Sequence, residues 1–210
     1  MPPPEAPSAI ILAAGRSRRM GERNKLLLEI GGQPVLTRVL RAFAAASVPE
    51  IIVVTGAQHE RIAALVEREN GIRTVHNPAF RSGMASSIRR GVHAAAPDAA
   101  GYVLCPADLP LLSDVTVETL CRRFTSQTGP RIVAPTVDGQ QGHPVLFDAS
   151  FREALLALEG DRGARGLVRS GDTPLTRIPV PDDGILRDVD TPEALERVRR
   201  RVAQEEGRSP

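Results

Sequence analysis

The sequence predicts an α/β protein, a three-layer sandwich built on a mostly parallel central sheet. Short apolar runs alternate with amphipathic stretches of helical length along nearly the whole chain. The run at 50–55 (EIIVVT) is almost wholly apolar, which is typical of a parallel strand covered by helices on both faces. In such sheets ligands bind beyond the carboxyl ends of the strands, so functional residues are expected in the loops that follow them.

The predicted strands are short apolar or alternating runs bounded by turn residues. They cover residues 9–12, 50–55, 72–76, 101–105, 131–135 and 144–147, with short extended pieces at 176–179 and 184–188. The loops expected to carry function therefore follow Leu12, His76, Cys105, Pro135 and Asp188.

The predicted helices repeat apolar residues at spacings of three and four. They cover residues 34–47, 59–70, 84–96, 113–126, 151–159, 164–170 and 191–202. Gly71 follows the second of them as a C-cap, and Ser113 is a plausible N-cap of the fourth.

Residues 9–203 are expected to form a single domain, because no internal repeat or low-complexity linker divides them. Residues 1–8 are expected to form a flexible N-terminal tail, since four of them are prolines, which cannot donate backbone hydrogen bonds. The polar residues 204–210 are expected to form a flexible C-terminal tail.

Composition excludes several classes of function for these 210 residues. A net charge of +2 and only 3% aromatic residues give no reason to expect nucleic acid as a partner. The two cysteines, Cys105 and Cys121, support neither a disulfide framework nor a zinc site. No apolar run is long enough to cross a membrane, and no signal peptide is recognisable, so a cytoplasmic location is expected.

The segment after the first strand, 12–21 (LAAGRSRRMG), combines two glycines with three arginines, and Lys25 follows four residues later. Gly15 lets the backbone approach a ligand closely, and free backbone N–H groups in such a loop bind anions. Arginine matches phosphate oxygens with paired hydrogen bonds, while lysine acts as a point charge. The segment is expected to bind a polyphosphate, with a basic surface turn as the alternative. It matches neither the GxxxxGK[ST] nor the GxGxxG phosphate-binding pattern.

Carboxylates follow two other predicted strands. Asp108 lies between Pro106 and Pro110, which restrict the backbone around it, and a hard carboxylate beside phosphates is a typical Mg²⁺ ligand. Asp188 and Asp190 are two residues apart and would share a face in an extended chain. The alternatives are a turn-stabilising role for Asp108 and capping of the following helix by Asp190 or Thr191.

Three further segments contain candidate binding residues. In 77–91 (NPAFRSGMASSIRRG), serines open a helix and could donate hydrogen bonds to a base or ribose, or could simply cap the helix. His143, which precedes a proline, could contact substrate or could be a structural turn residue. Arg162 and Arg165 could meet a phosphate or remain solvated surface charges. No serine or cysteine pairs with a base, so nucleophilic catalysis has no support.

These motifs together resemble those of the molybdenum cofactor cytidylyltransferases, within the nucleotidyltransferases of the Rossmann-like GT-A fold. LAAGRSRRMG with Lys25 resembles the opening signature of that superfamily. NPAFRSGMASSIRRGV, PADLPLL, QGHPVLF, GDRGAR and DVDTPEAL follow in the family's order. The resemblance spans about residues 9–200.

The resemblance implies a reaction. Such enzymes transfer CMP from CTP to the terminal phosphate of molybdopterin carrying molybdenum, release pyrophosphate and form molybdopterin cytosine dinucleotide. The guanylyl branch usually opens with LAGG, whereas this chain has LAAG at 12–15, which favours CTP over GTP. CTP and molybdopterin are therefore the expected small-molecule partners, with transient contact to an apo molybdenum hydroxylase and with neither nucleic acid nor membrane as a partner.

The resemblance also implies roles for individual residues. Lys25, Arg19 and Asp108 are expected to be catalytic, and Asp108 and Asp190 are expected to hold Mg²⁺, with Mn²⁺ as an alternative. Nucleotide binding is expected at Leu12, Ala13, Ala14, Gly15, Arg19, Lys25, Gly83, Ser87 and Asp108. The pterin substrate is expected to contact His143, Arg162 and Arg165.

Two alternatives to this function stay open from the sequence. One is another activity of the same superfamily, such as guanylyl transfer or sugar-phosphate nucleotidyl transfer. The other is a non-catalytic chaperone that binds the finished cofactor and delivers it to a hydroxylase. A metal-held triphosphate is unnecessary for cofactor delivery, so Lys25, Asp108 and Asp190 favour an enzyme.

Overall fold

A computed structural model describes residues 6–21, 23–161, 163–169 and 173–207. Within these residues the strands are β1 Ser8–Ala13, β2 Glu29–Ile30, β3 Gln33–Pro34, β4 Ile51–Thr55, β5 Ile72–His76, β6 Gly101–Pro106, β7 Ile132–Val137, β8 Gln140–Gln141, β9 Val145–Asp148 and β10 Leu175–Pro179. The α-helices are α1 Val35–Ala45, α2 His59–Val66, α3 Met84–Ala94, α4 Asp114–Thr125, α5 Arg152–Leu156, α6 Arg165–Arg169 and α7 Pro192–Glu206.

The predicted three-layer α/β sandwich with a mostly parallel sheet is confirmed. The central sheet has the strand order β10-β7-β9-β6-β1-β4-β5, and β8 pairs with β7. Strands β6, β1, β4 and β5 are parallel neighbours, as are β10 and β7. Strand β9 runs antiparallel to both β6 and β7, so its first residues lie at the carboxyl end of β6.

Alternate residues of each strand enter different cores, as the two-residue period of a strand requires. In β1, Ala9, Ile11 and Ala13 pack with α1, α2, α4 and α7, whereas Ile10 packs with α3 and α5 on the other face. Gly91 of α3 lies directly against Ile10, and a Cβ at that position would collide with the isoleucine side chain. This close approach brings α3 down onto the centre of the sheet.

Several predicted element boundaries differ from the structure. Ser8, assigned to the N-terminal tail, is the first residue of β1 and pairs with Tyr102. Helix α7 continues through residues 204–206, which were assigned to the C-terminal tail, because an Arg201–Glu205 ion pair supports its last turn.

The segment at 184–188 was predicted to be extended, and this prediction is wrong. Residues Asp183–Leu186 form a short 3-10 helix, whose first turn is capped by the Asp182 side chain accepting a bond from the Gly184 N–H at 2.8 Å. Ile185 is buried, as an apolar residue of a strand would be, but the Asp182 cap folds the backbone into a turn. Asp188 therefore follows a 3-10 helix instead of a strand.

Candidate functional site

The loops after β1 and β6 meet at the carboxyl edge of the sheet because these strands are parallel neighbours. Leu12 is paired with Pro106 in the register, and the Ala107 N–H donates to the Leu12 carbonyl at 3.3 Å. The chain before α7 joins them, since the Val189 N–H donates to the Asp108 carbonyl at 3.0 Å. Three segments distant in sequence thus form one edge.

The loop after β1 is shaped by its own polar side chains. Ser17 adopts a left-handed conformation with φ 49°, and its hydroxyl accepts a hydrogen bond from the Lys25 backbone N–H at 3.2 Å. Asn24 caps the following 3-10 turn by accepting from the Leu26 N–H at 3.1 Å. These bonds fix the backbone of Lys25 at the base of the site.

Lys25 connects two of the predicted metal ligands. Its Nζ donates to Asp108 Oδ2 and, at 2.5 Å, to Asp190 Oδ1. The side chains of Lys25 and Asp108 are largely buried, and that of Asp190 is more exposed. Arg19 Nη1 donates to the other oxygen of Asp190 at 2.7 Å, and the Arg19 side chain is 72% exposed. We refer to Lys25, Asp108 and Asp190 as the lysine bridge.

Burial and neighbouring charges shift the pKa values of Lys25, Asp190 and Asp188. Burial alone would lower the pKa of Lys25, but the charges and hydrogen bonds of Asp108 and Asp190 raise it. Burial would raise the pKa of Asp190, but Lys25 and Arg19 lower it. The pKa of Asp188 is raised, first by burial and then by the negative charges of Asp108 and Asp190. At neutral pH, therefore, Lys25 is a cation and Asp190 an anion.

One of the two carboxylate oxygens of Asp108 is not used by the lysine bridge. Its Oδ1 is buried and has no hydrogen-bond partner among the described residues, which is a costly state for a carboxylate oxygen. Hard oxygen ligands of this kind suit Mg²⁺ or Mn²⁺, so Asp108 and Asp190 fit a divalent cation. The part of the chain that the structure describes has no group of three or more His, Cys, Asp or Glu side chains able to hold a metal. The further ligands would be phosphate oxygens and water.

His143 lies beside this edge. It precedes the antiparallel strand β9, and its backbone N–H donates to the Ile185 carbonyl at 3.1 Å. Its Nδ1 is buried without a partner among the described residues. Burial and the positive charge of Arg165 lower the pKa of His143, while the charge of Asp108 opposes them. The imidazole is therefore neutral at neutral pH and has an unpaired ring nitrogen near Asp108.

Arg165 and Arg162 were predicted to contact the same substrate as His143. Arg165 is the exposed first residue of α6 and is close enough to His143 to shift its pKa. Arg162 lies outside the described residues. The geometry therefore connects one of the two arginines with the histidine.

The predicted nucleotide residues of α3 have partners inside the protein. Gly83 has φ +111°, and a Cβ there would lie 2.5 Å from the Gly160 carbonyl group. Buried Asn77 donates from Nδ2 to Ser87 Oγ at 3.0 Å and to Ser86 Oγ at 2.9 Å. Gly83 thus packs the helix start against the 160 loop. Ser87 retains its own hydroxyl proton for another acceptor.

The glycine of the first loop is different. A Cβ at Gly15 would have no atom within 4 Å, and Gly15 does not have the positive φ that favours glycine. Neither packing nor backbone conformation requires a glycine here, so the open space above it is available to a ligand. Leu12 is half-buried, Ala13 and Ala14 are buried, and only Gly15 of the LAAG segment is exposed.

Two structurally important residues were not singled out from the sequence. Asn77 was quoted within its motif, but its hydrogen bonds to two serines of α3 were not foreseen. Ser17 was treated as part of a basic loop, although its hydroxyl binds the Lys25 backbone. The Asn-Pro dipeptide signals a turn, whereas nothing local signals the partner of Ser17.

Cys105 does not offer a nucleophile. It is buried in β6, and burial, followed by the negative charge of Asp108, raises the pKa of its thiol well above the usual range. A protonated thiol is a weak nucleophile. The site thus combines one cation that contacts two acids with an exposed glycine earlier in the same loop.

Comparison with known proteins shows what the whole chain is similar to. The family model of the MobA-like NTP transferase domain matches residues 9–175. Nicotine blue oxidoreductase of Paenarthrobacter nicotinovorans is 29% identical over 202 residues, covering 91% of this chain and 95% of that protein. The purine catabolism protein PucB of Bacillus subtilis (strain 168) is 28% identical over 208 residues, covering 92% and 96%.

Solved structures agree in fold. Rv0371c from Mycobacterium tuberculosis H37Rv superimposes with a TM-score of 0.80 at 26% identity, covering 93% of this chain and 98% of that one. The structure of its complex with manganese superimposes with a TM-score of 0.76 at 25% identity, with the same coverage. The GT-A-like nucleotidyltransferase fold implied by the motifs is confirmed. No helix among the described residues is both long and apolar enough to span a bilayer.

Proposed function

The chain belongs to the MobA-like NTP transferase family, and we propose that it transfers CMP from CTP to the terminal phosphate of molybdenum-carrying molybdopterin. The products would be pyrophosphate and molybdopterin cytosine dinucleotide. The observation that carries the proposal is the lysine bridge, in which Lys25 lies between Asp108 and Asp190 next to the open Gly15 loop. Nucleotidyl transfer needs such a combination of cation, carboxylates and accessible backbone.

In this reaction an oxygen of the acceptor phosphate forms a bond to the α-phosphorus of the nucleotide. The bond from that phosphorus to the bridging oxygen breaks in line, and pyrophosphate leaves with the electron pair. Lys25 and Arg19 would neutralise the triphosphate, and the exposed Gly15 would let backbone N–H groups approach it. No covalent bond to the protein is required, consistent with the protonated Cys105.

Asp108 and Asp190 would hold a divalent cation, Mg²⁺ or Mn²⁺. Asp108 Oδ1 is the buried oxygen with no partner in the described structure, and Asp190 is the more exposed of the two acids. When bound, the cation supplies Lewis-acid stabilisation of the phosphate oxygens. The manganese complex of Rv0371c supports a divalent metal in a relative of this chain.

The choice of CTP and of a pterin acceptor rests on sequence motifs. The LAAG opening favours CTP, and Ala14 adds a methyl group where the guanylyl branch has glycine. Ser87, with its free hydroxyl proton, and Gly83 are proposed to border the base and ribose. His143 and Arg165 are proposed to bind the acceptor, because the neutral imidazole has an unpaired nitrogen beside a guanidinium.

Pyrophosphate release tests the proposal. Purified protein is given molybdenum-loaded molybdopterin and Mg²⁺, with CTP or GTP in parallel, and product is identified by mass. Turnover with CTP, lost when the divalent cation is chelated and restored by its return, supports the proposal. Turnover with GTP alone would make the protein a guanylyltransferase, and turnover only with a sugar phosphate would replace the acceptor.

Absence of turnover with folded protein would favour the cofactor chaperone. In that case the protein should retain finished molybdopterin cytosine dinucleotide and bind an apo-hydroxylase without releasing pyrophosphate. A purely binding role would also tolerate Asp108→Asn, because delivery of a finished cofactor needs no metal-held triphosphate.

A second candidate is suggested by the name of one relative, nicotine blue oxidoreductase, which aligns with 91% of this chain. The simplest oxidoreductase activity of this kind would be hydride transfer from a nicotinamide cofactor. The first loop lacks the GxGxxG dinucleotide pattern, which disfavours this activity. Oxidation of NADH or NADPH dependent on a reducible aromatic dye, with no pyrophosphate release from CTP, would select it over nucleotidyl transfer.

A further inference from the structure

Lys25 is the single lysine of the chain, whereas arginine occurs 26 times. Guanidinium and ammonium groups differ in a way that matters at this position. Arginine presents a planar fork that suits fixed, paired hydrogen bonds, while lysine carries a compact charge on a four-carbon stem with rotatable donors. The one lysine of the chain stands at the position where a single cation contacts two carboxylates, those of Asp108 and Asp190.

The same two carboxylates are the ones that fit a divalent cation. Lys25 Nζ uses Asp108 Oδ2 and Asp190 Oδ1, while Asp108 Oδ1 has no partner among the described residues. A metal ion bound by both acids would lie within a few ångströms of the ammonium. Two cations at that separation repel strongly where the surroundings are largely buried. The ammonium and the metal therefore compete for one position.

The backbone of Lys25 is held in place by hydrogen bonds of the loop, whereas its side chain can rotate. The backbone N–H is bonded to Ser17 Oγ, and Lys25 begins the 3-10 turn capped by Asn24. The side-chain hydrogen bonds described for Lys25 are both made by its terminal nitrogen, and none is made by the aliphatic stem. Rotation of the stem can thus move the charge while the loop stays in place. The open space above Gly15 lies in the same loop.

We propose that Lys25 is an exchangeable counter-ion, released from Asp108 and Asp190 when a divalent cation binds and then paired with the nucleotide triphosphate. This inference rests on the proposed nucleotidyl transfer. Metal alone must displace the ammonium with no new partner for it, whereas the triphosphate supplies one. Metal and nucleotide consequently bind with positive coupling, and by linkage each strengthens the other equally.

The first test compares metal affinity in three proteins without nucleotide. Mn²⁺ binding is measured from the loss of its free-ion electron paramagnetic resonance signal in wild type, Lys25→Gln and Arg19→Gln. Removing Lys25 should tighten Mn²⁺ binding by about tenfold, within the usual range of coupling between sites. Arg19→Gln is the matched control, because it removes the same charge from Asp190 without vacating Asp108. Its effect should be smaller, since Arg19 is exposed and screened.

The second test observes Lys25 directly in the unmodified protein. Incorporating ¹³C-lysine labels one residue, so the side-chain Cε gives a single resonance for Lys25. Titration with diamagnetic Mg²⁺, alone and with α,β-methylene-CTP, should shift this resonance in step with metal binding. Saturation should require less Mg²⁺ when the nucleotide analogue is present. This measurement decides the matter if Lys25→Gln fails to fold.

Three outcomes distinguish the possibilities. Tighter Mn²⁺ binding in Lys25→Gln than in Arg19→Gln, with a lysine resonance that follows Mg²⁺, supports the exchange. Equal affinities and an unmoved resonance overturn it, as does the absence of metal binding to any of the proteins with or without nucleotide. Exchange observed in a protein that fails to release pyrophosphate from CTP would retain this inference and reject the proposed reaction.

Discussion

At the amino end of the sheet Glu50 has partners for both carboxylate oxygens, whereas at the carboxyl end Asp108 has a buried oxygen with none. Glu50 Oε2 accepts from Ser8 Oγ at 2.5 Å and from the Ala96 N–H at 2.9 Å, and Oε1 accepts from Arg73 at 2.8 Å. These contacts join β1, β5 and the end of α3. Asp108 and Asp190 instead share one ammonium.

The difference separates a carboxylate whose hydrogen bonds join secondary-structure elements from two carboxylates that we propose to take part in the reaction. A carboxylate that already accepts three hydrogen bonds, as Glu50 does, has little capacity left for a ligand, and its loss weakens the packing that it joins. A carboxylate with an unsatisfied oxygen carries a cost that a metal or substrate can relieve. Function is therefore expected where the hydrogen bonding of the folded chain is incomplete.

The largest effect is expected from Asp108→Asn. The amide keeps the size of the side chain but removes the charge that would hold a divalent cation, so kcat should fall by about 10³-fold or more. Thermal unfolding should change little, because the amide oxygen can still accept the bond from Lys25 Nζ, and the substitution also removes a buried carboxylate oxygen that has no partner among the described residues. If the turnover of Asp108→Asn stays within a few-fold of wild type, then Asp108 does not hold the metal, and the proposed functional difference between Asp108 and Glu50 is wrong.

A smaller loss is expected from Lys25→Gln. Removing a charge that stabilises the departing pyrophosphate should lower kcat by about 10²-fold, with a weaker effect on the KM for CTP. Steady-state kinetics at saturating Mg²⁺ separates the two constants. Lys25→Arg serves as the charge-preserving comparison and should recover only part of kcat, because a wide planar guanidinium does not reproduce the compact charge of the ammonium. A raised KM with unchanged kcat would make Lys25 a residue of ground-state binding.

In contrast to the two site variants, Glu50→Ala is expected to lower stability without lowering kcat. Losing three hydrogen bonds that join the amino ends of the strands should reduce the free energy of unfolding by about 1–3 kcal/mol. The value of kcat should stay unchanged at temperatures where the variant is folded, since Glu50 lies at the end of the sheet away from the site. Chemical denaturation and pyrophosphate release measure the two properties on the same sample. A selective loss of kcat would show that the two ends of the sheet are coupled.

Lowering the pH should reduce the stability that Glu50 contributes at the amino end of the sheet. Burial would raise the pKa of Glu50, but the bonds from Arg73, Ser8 and Ala96 lower it below the usual 4.5. A lowered pKa means that the folded state favours the ionised form, so the stabilisation is full above pH 4.5 and is lost as pH falls below it. The gap in unfolding free energy between wild type and Glu50→Gln should thus narrow from about pH 7 to about pH 3.

The carboxyl-end side of this contrast could be predicted in large part from the sequence, whereas the amino-end side could not, and both outcomes have physical causes. Lys25 and Asp108 were expected to meet because they follow apolar strands of one parallel sheet. The bond from Lys25 to Asp190 also requires the path of 184–188, which was predicted as a strand because Ile185 is apolar. The Asp182 cap, whose partners include Ser113 from a distant helix, was invisible to local periodicity. The hydrogen bonds that Glu50 accepts likewise come from residues more than 20 positions away in the sequence.

His143 offers the finest test of whether unpaired buried atoms mark function. Its Nδ1 lacks a partner in the described structure, and so does Thr37 Oγ1, which is buried in the first turn of α1. His143→Ala should raise the KM for the pterin acceptor by about tenfold and leave the KM for CTP unchanged, as the loss of a hydrogen bond to substrate would. Thr37→Val should change neither KM and should leave stability equal or slightly higher, because an isosteric apolar group removes an unsatisfied hydroxyl. If both variants alter the acceptor KM, or neither does, then an unpaired atom alone carries no information about where this protein binds its substrate.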